Sequence, residues 1–409
     1  MDKLHILIYC SDNGLGCTSR AINIATQISE NVENCSMLLL TDLPIIGRFK
    51  FPQNLDYVHL PGIMQDSDEN FQARSLNIAL KNTLTIRRKI TKSAIKTFKP
   101  HIIIIEGNPS ALPDEMENTF GFVKERLPGT RVIWGLPDMI GAPRLIADEW
   151  KQKGIHAMLD RICDEIWVHG VQEIFDLTTE YNFPETLARK TIYTGYIRAP
   201  YVDRRRVDKD EAEMKLKRPY VLVTTGSGTD GYTLIDTYLK LLENTGDEFP
   251  FNSVIVTGPL METYQKYLLM ERAENLPNVI FHRYCKHLLQ YLKYAELVIS
   301  NGGFNQLCEI LSYRKRSILV PTSAMNNEHH YRAHIFNEIG LAETILPHML
   351  SQKTLGEKIQ KILPQRNGFH FNFDTIAQDG LEKIVERIRV LKANPALKFH
   401  HTNGVAITQ

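Results

Sequence analysis

The chain has 409 residues, 43% of them hydrophobic and 23% charged, with a formal net charge of +1. That length exceeds one comfortable core and fits two or three domains of an ordinary soluble globular type. The even charge balance supplies no global field for nucleic acid, and the longest pure aliphatic run, Ile102 to Ile105, is far short of a membrane span. In chain order, His5 to Tyr9 predicts a strand. The apolar run Leu4 to Cys10 is too short for a signal-peptide core and runs straight into Ser11-Asp12-Asn13-Gly14-Leu15-Gly16. Ala21, Ile22, Ile24, Ala25 and Ile28 follow at helical spacing, so the first unit is strand, Gly-rich turn, helix. Met37 to Leu40 and Tyr57 to Leu60 are the next strands, and strands alternating with helices predict a doubly wound parallel sheet, an α/β fold. The first turn lacks the third glycine of a dinucleotide fingerprint, and only Asp42 ends the second strand, which disfavours NAD.

From Phe71 to Pro100 there are eight Lys or Arg residues and no Asp or Glu. Ile78, Leu84, Ile86, Ile90, Ile95 and Phe98 supply apolar positions, which predicts a long basic amphipathic helix with its stripe in the core and its charges in solvent. A sharper reading makes residues 74–99 a peripheral docking face for an anionic membrane or a polyanionic acceptor. Ile102 to Ile105, Val132 to Leu136 and Ile166 to Val168 are strands ending at Glu106, Asp138 and His169. Ligands of open α/β sheets lie beyond the carboxyl ends of strands, so Asp12, Glu106, Asp138 and His169 are expected around one crevice.

Thr191 to Pro200 reads as the hinge, and the mixed-charge stretch Asp203 to Arg218 as surface linker, its Arg204-Arg205-Arg206 run solvated. The α/β rhythm restarts with a strand at Tyr220 to Thr224, followed by Thr225-Gly226-Ser227-Gly228-Thr229-Asp230-Gly231. There the backbone can approach a phosphate and hydroxyls can donate to it. No GK[ST] follows, so this is not a P-loop. Strands are predicted at Asn252 to Thr257, Val279 to Phe281, Ala295 to Ile299 and Ser317 to Val320. Between the last two lies Asn301-Gly302-Gly303-Phe304-Asn305, entering a helix with Glu309 about two turns in, where backbone N–H groups can face an anion and a carboxylate can take sugar hydroxyls. Glu328-His329-His330 enters another helix; adjacent histidines cannot share one metal on a helix, so hydrogen bonding to sugar or phosphate is the expected role. Asp374 to Leu391 predicts a final helix packing across the hinge, and 398–409 a frayed tail. The six cysteines are scattered, with no CxxC, which points to no zinc site, no disulfide framework and a reducing cytoplasm.

Two α/β domains, a central hinge and the Gly302-Gly303…Glu309 motif resemble a GT-B glycosyltransferase: two Rossmann-like doubly wound domains facing across a cleft. The second half resembles the C-terminal domain of glycosyltransferase family 28, which includes the N-acetylglucosaminyltransferase of peptidoglycan lipid intermediates. Gly14-Leu15-Gly16 with Arg20, Asp164 to Val168 and Tyr193 to Tyr196 also resemble a bacterial group of predicted glycosyltransferases. The domains implied are 1–197 on the acceptor side, a linker at 198–218, a nucleotide-sugar domain at 219–373, and a helix crossing back with a tail at 374–409. The resemblance implies that Gly226, Ser227 and Gly228 hold donor phosphates and that Arg283 and Tyr284 sit beside the base. Gly302 and Gly303 would face the diphosphate, flanked by Asn301, Phe304 and Asn305, and Glu309 would hold the ribose. Glu328, His329 and His330 fall where the family binds the donor sugar with acidic or amide residues, and Gly14 and Gly16 close the donor side from the first domain. Cys17 stands where the family commonly has a histidine, so the base is expected among Asp12, Glu106 and Asp138.

The activity implied is transfer of a sugar from a nucleoside diphosphate sugar, UDP-linked and UDP-GlcNAc as the leading case. The acceptor is a hydroxyl of a small molecule, a lipid-linked intermediate or a glycan, and the displacement is inverting, without metal or other cofactor. The location implied is cytoplasmic, at the inner face of a membrane. A nucleotide-sugar 2-epimerase and a non-catalytic nucleotide-sugar binder are the competing expectations.

Overall fold

The computed structural model describes residues 3–10, 14–65, 71–199, 219–285, 287–322, 328–363, 373 and 376–393. Its apolar runs form two parallel sheets. The first begins with β1 (Leu4–Cys10), β2 (Cys35–Thr41) and β3 (Leu55–His59), which a short antiparallel hairpin of β4 (Ile63–Gln65) and β5 (Phe71–Ala73) follows. It continues with β6 (Ile102–Glu106), β7 (Arg131–Pro137), β8 (Glu165–His169) and β9 (Thr191–Tyr193), in the spatial order β3-β2-β1-β6-β7-β8-β9. Ile6, Ile8 and Ile104 point into one buried cluster and Leu7, Tyr9, Ile103 and Ile105 into another. Both faces are covered, which is why these strands read as unbroken apolar runs rather than alternating ones.

The second sheet contains β10 (Tyr220–Thr224), β11 (Asn252–Val256), β12 (Val279–His282), β13 (Leu297–Ser300), β14 (Ser317–Leu319) and β15 (Glu343–Thr344), ordered β12-β11-β10-β13-β14-β15. The final helix, Gly380–Ala393, packs on the first helix, Leu15–Asn31, and Arg387 Nη2 donates to Glu165 Oε1 at 2.6 Å. It thus returns to the first domain. Tyr196 N donates to Ala377 O at 3.0 Å, and Gly380 N to Tyr196 O at 3.2 Å, tying the crossing chain to the segment after β9.

Two expectations change. The stretch read as hinge from Thr191 begins instead as the edge strand β9, paired in parallel with β8; the linker from Asp203 to Arg218, with its arginine run, lies outside the described residues. The basic helix forms over Leu80–Phe98, but its buried face carries Thr83, Arg87, Thr91 and Ile95, while Ile78 and Ile86 are exposed. Arg87 is drawn inward by Asp42 (3.0 Å), Glu115 (2.9 Å) and the Tyr9 hydroxyl (3.1 Å). With the Pro61 carbonyl at 2.9 Å these make four polar partners, which together offset the burial cost of one guanidinium.

Candidate active site

Each sheet reverses its strand order once, between β1 and β6 in the first and between β10 and β13 in the second. At such a point the flanking helices leave to opposite faces and a crevice opens beyond the strand ends. The glycine turns sit at these two places. Gly14 caps the first helix with extended backbone, and Gly16 lies in its first turn. Gly303 caps the helix Phe304–Ser312 in the same way. Asn305 Nδ2 donates to Gly16 O at 2.9 Å, so the starts of the two helices touch across the domains.

Asn301 is buried, and Gly302 has φ of +75°, a backbone state that costs glycine little and other residues more. Gln306 joins the two turns of the second domain. Its Oε1 accepts from Gly303 N at 3.2 Å, and its Nε2 donates to Thr224 O at 3.0 Å, just before Gly226. Sequence reasoning missed this residue, although a Gln three places after a helix cap is the known pattern for reaching back to the cap N–H. Ser227 is half-buried in the other turn, its hydroxyl 3.2 Å from that of Thr229.

Around this frame, Glu309 holds one carboxylate oxygen buried with no hydrogen-bond partner, and burial raises the carboxyl from 4.5 to about 7. Arg283 and Tyr284 are exposed just beyond β12, and the Arg48 guanidinium of the first domain lies 5.4 Å from the Tyr284 ring centre. The helix Glu328–Glu338 separates the paired histidines, as the turn of about 100° per residue requires. His329 faces the turn: a methyl placed on Gly303 would lie 3.4 Å from its Nε2. Glu328 lies 3.4 Å from the same atom. His330 instead lines a separate cavity of about 590 Å³ with His334, Thr344, Met349 and Lys358. Only His329 joins the turn, which corrects the expectation for the pair.

The three carboxylates expected to supply the base divide. Asp12 lies outside the described residues. Glu106 is fully buried; Arg20 Nε lies 2.6 Å and His169 Nε2 3.1 Å from its oxygens. Burial pushes this carboxyl up, but Arg20 and His169 outweigh it and bring it to about 2. Asp138 is buried against Arg332 at 2.7 Å, with the Tyr196 hydroxyl at 3.1 Å. Both carboxylates are thus held by arginines, Glu106 by Arg20 inside the first domain and Asp138 by Arg332 across the domain boundary. Cys17 is likewise buried, its thiol directed at Glu106 O (3.2 Å).

Residues 220–388 match the family model described as the glycosyltransferase family 28 C-terminal domain. The chain is a glycosyltransferase. The matched segment holds the Gly226, Gly302 and Glu328 stretches together, and with the first sheet it makes the GT-B architecture expected from the sequence. The chain is 25% identical over 295 residues to a Bacillus cereus UDP-N-acetylglucosamine–N-acetylmuramyl-(pentapeptide) pyrophosphoryl-undecaprenol N-acetylglucosamine transferase, covering 70% of this chain and 72% of that one. Among solved structures it is similar in fold to the calicheamicin glycosyltransferase CalG4, with a TM-score of 0.63 at 13% identity over 98% of this chain and 100% of the other. Acinetobacter baumannii MurG gives 0.58 at 14% identity over 95% and 99%. No helix among the described residues is long and apolar enough to cross a membrane.

Proposed function

We propose that this glycosyltransferase moves a sugar, N-acetylglucosamine in the leading case, from a UDP-linked donor to a hydroxyl of a lipid-linked acceptor. The observation that carries this is the meeting of the two switch-point turns, Gly14–Gly16 and Gly302–Asn305, across the domain boundary at 2.9 Å. A donor bound on the second domain then has its sugar facing the first. The donor and acceptor classes follow the name of the Bacillus cereus relative.

In this reading the turns of Gly226, Ser227, Gly228 and of Gly302, Gly303, with the N-terminus of the helix Phe304–Ser312, border the diphosphate. Arg283 and Tyr284 flank the base, Glu309 accepts from the ribose hydroxyls, and His329 with Glu328 borders the sugar. The acceptor oxygen forms its bond to the anomeric carbon from the face opposite the diphosphate, the carbon–oxygen bond to the diphosphate breaks, and the electron pair leaves on UDP. Charge building on that diphosphate is stabilised by donors already in place. The acceptor proton passes to a carboxylate; with Glu106 and Asp138 both held by arginines, Asp12 is the proposed base. Isothermal titration with UDP tests the donor half: Glu309→Ala should weaken binding about tenfold, the worth of a charge-assisted hydrogen bond, with an unchanged melting temperature. Equal affinity would remove Glu309 from the ribose.

A further inference from the structure

The Asp138–Arg332 pair does more than bury two charges. Arg332 belongs to the second domain, on the helix Glu328–Glu338, and is fully buried. Its Nη2 donates to Asp138 Oδ1 at 2.7 Å and to Met139 O at 3.1 Å, and its Nε faces both Asp138 oxygens at 3.1 and 3.2 Å. All these acceptors belong to the first domain. Its Nη1 turns the other way, to Gly302 O at 3.3 Å, inside its own domain. Among the described residues the remaining anion in reach is Glu328, four residues earlier on the same helix, at 3.5 Å from Nη1. Phe304, at the start of the helix after the turn, has the Arg332 guanidinium 5.8 Å and the Arg20 guanidinium of the first domain 5.4 Å from its ring centre.

We infer that Arg332 is a positioning residue: gripped by Asp138 across the domain boundary, it holds the Gly302 carbonyl, so that the glycine turn takes its working shape only when the domains are closed. A guanidinium keeps its charge at any working pH and makes several directed bonds at once, so one side chain can serve both domains. If the domains part, Asp138 and Met139 O are withdrawn together. The charge cannot stay unpaired in a dry setting, and Glu328 is the carboxylate that moves with it. Swinging toward Glu328 takes Nη1 off Gly302 O. Closure therefore adds the grip of Asp138 to the pair that Arg332 keeps with Glu328, and sets the turn. The inference rests on the proposed reading of this turn as the diphosphate site.

The test uses the full chain with UDP as probe and two readouts, titration for affinity and small-angle X-ray scattering for closure. Asp138→Asn and Arg332→Gln should each lower UDP affinity about tenfold or more and give a larger radius of gyration with UDP present. The double variant should lose no more than the worse single one, because both act through one bond set. Arg332→Lys, which keeps the charge for Asp138 and so guards against loss of the fold, should close like the wild type yet bind UDP more weakly, since an ammonium cannot also hold Gly302 O. Losses that multiply in the double variant, radii unchanged in both single variants, or full affinity in Arg332→Lys would overturn the inference. Should the wild type itself fail to bind UDP, the functional reading falls, and the scattering comparison still decides the latch.

Discussion

At the residue scale, Glu309 and Gly135 carry the sharpest consequences. A carboxyl raised to about 7 by burial keeps its proton in the folded chain where an unfolded glutamate, near 4.5, has lost it. Its contribution to stability is therefore complete at low pH and falls as pH rises between those two values. Ribose hydroxyls donate best to the ionised form, so UDP affinity should rise from about pH 6 to about pH 8 and this component should vanish in Glu309→Gln; titrations across that window with the same slope in both proteins would contradict the assignment. Gly135 has a different constraint. A methyl there would stand 2.1 Å from Glu106 Oε1 and 2.9 Å from His169 Nε2. Gly135→Ala must push apart the buried Arg20–Glu106–His169 set, and breaking such a set costs on the order of 3 kcal/mol, a melting shift of several degrees. An unchanged melting temperature would show that the set relaxes freely. Glu309 is legible in sequence as a carboxylate on the helix Phe304–Ser312 but not in its burial, and Gly135 is not legible at all: it sits inside a strand, and its partners come from the ends of two others.

At the scale of elements, the long strands and the turns that follow them were legible because each is a local signal, an apolar run closed by glycine. The short edge strands β9 and β15, of three and two residues, carry too little pattern to stand out. The basic helix was legible as a helix but not in its burial. Arg87 looks like its exposed neighbours until Asp42 and Glu115, 45 and 28 residues away, are brought beneath it. The exposed set is Lys81, Lys89, Lys96 and Lys99, beside the uncovered Ile78 and Ile86. We propose that this face rests on an anionic bilayer. Changing Lys81, Lys89 and Lys96 together to Gln should lower partitioning onto phosphatidylserine-containing vesicles by tenfold or more at low salt, at about 1 kcal/mol for each charge. Unchanged partitioning would leave the helix a solvated face. Arg87 is left out of that set, because removing it would strand two buried carboxylates.

At the scale of the whole molecule, function depends on two halves whose meeting the sequence could not display. Asp138 and Arg332 lie 194 residues apart and Gly16 and Asn305 lie 289 apart. What the sequence offered was one glycine turn at each switch point; the fold brings them together. It also redistributes the carboxylates: Glu106 and Asp138, which look like candidate bases when placed at strand ends, are neutralised by arginines that no local pattern pairs with them. The second domain adds Gln306 and Arg332 beside the glycine turns, and the acceptor half is left with Asp12 as its proposed base. The central claim is tested most directly by incubating the chain with UDP-N-acetylglucosamine, with and without a lipid-diphosphate sugar acceptor, and following both by mass spectrometry. The account predicts acceptor-dependent release of UDP with a matching gain of one N-acetylhexosamine on the lipid, and loss of that gain in Asp12→Asn. Conversion of the UDP-sugar to its epimer without any acceptor, and no gain on the lipid, would contradict it.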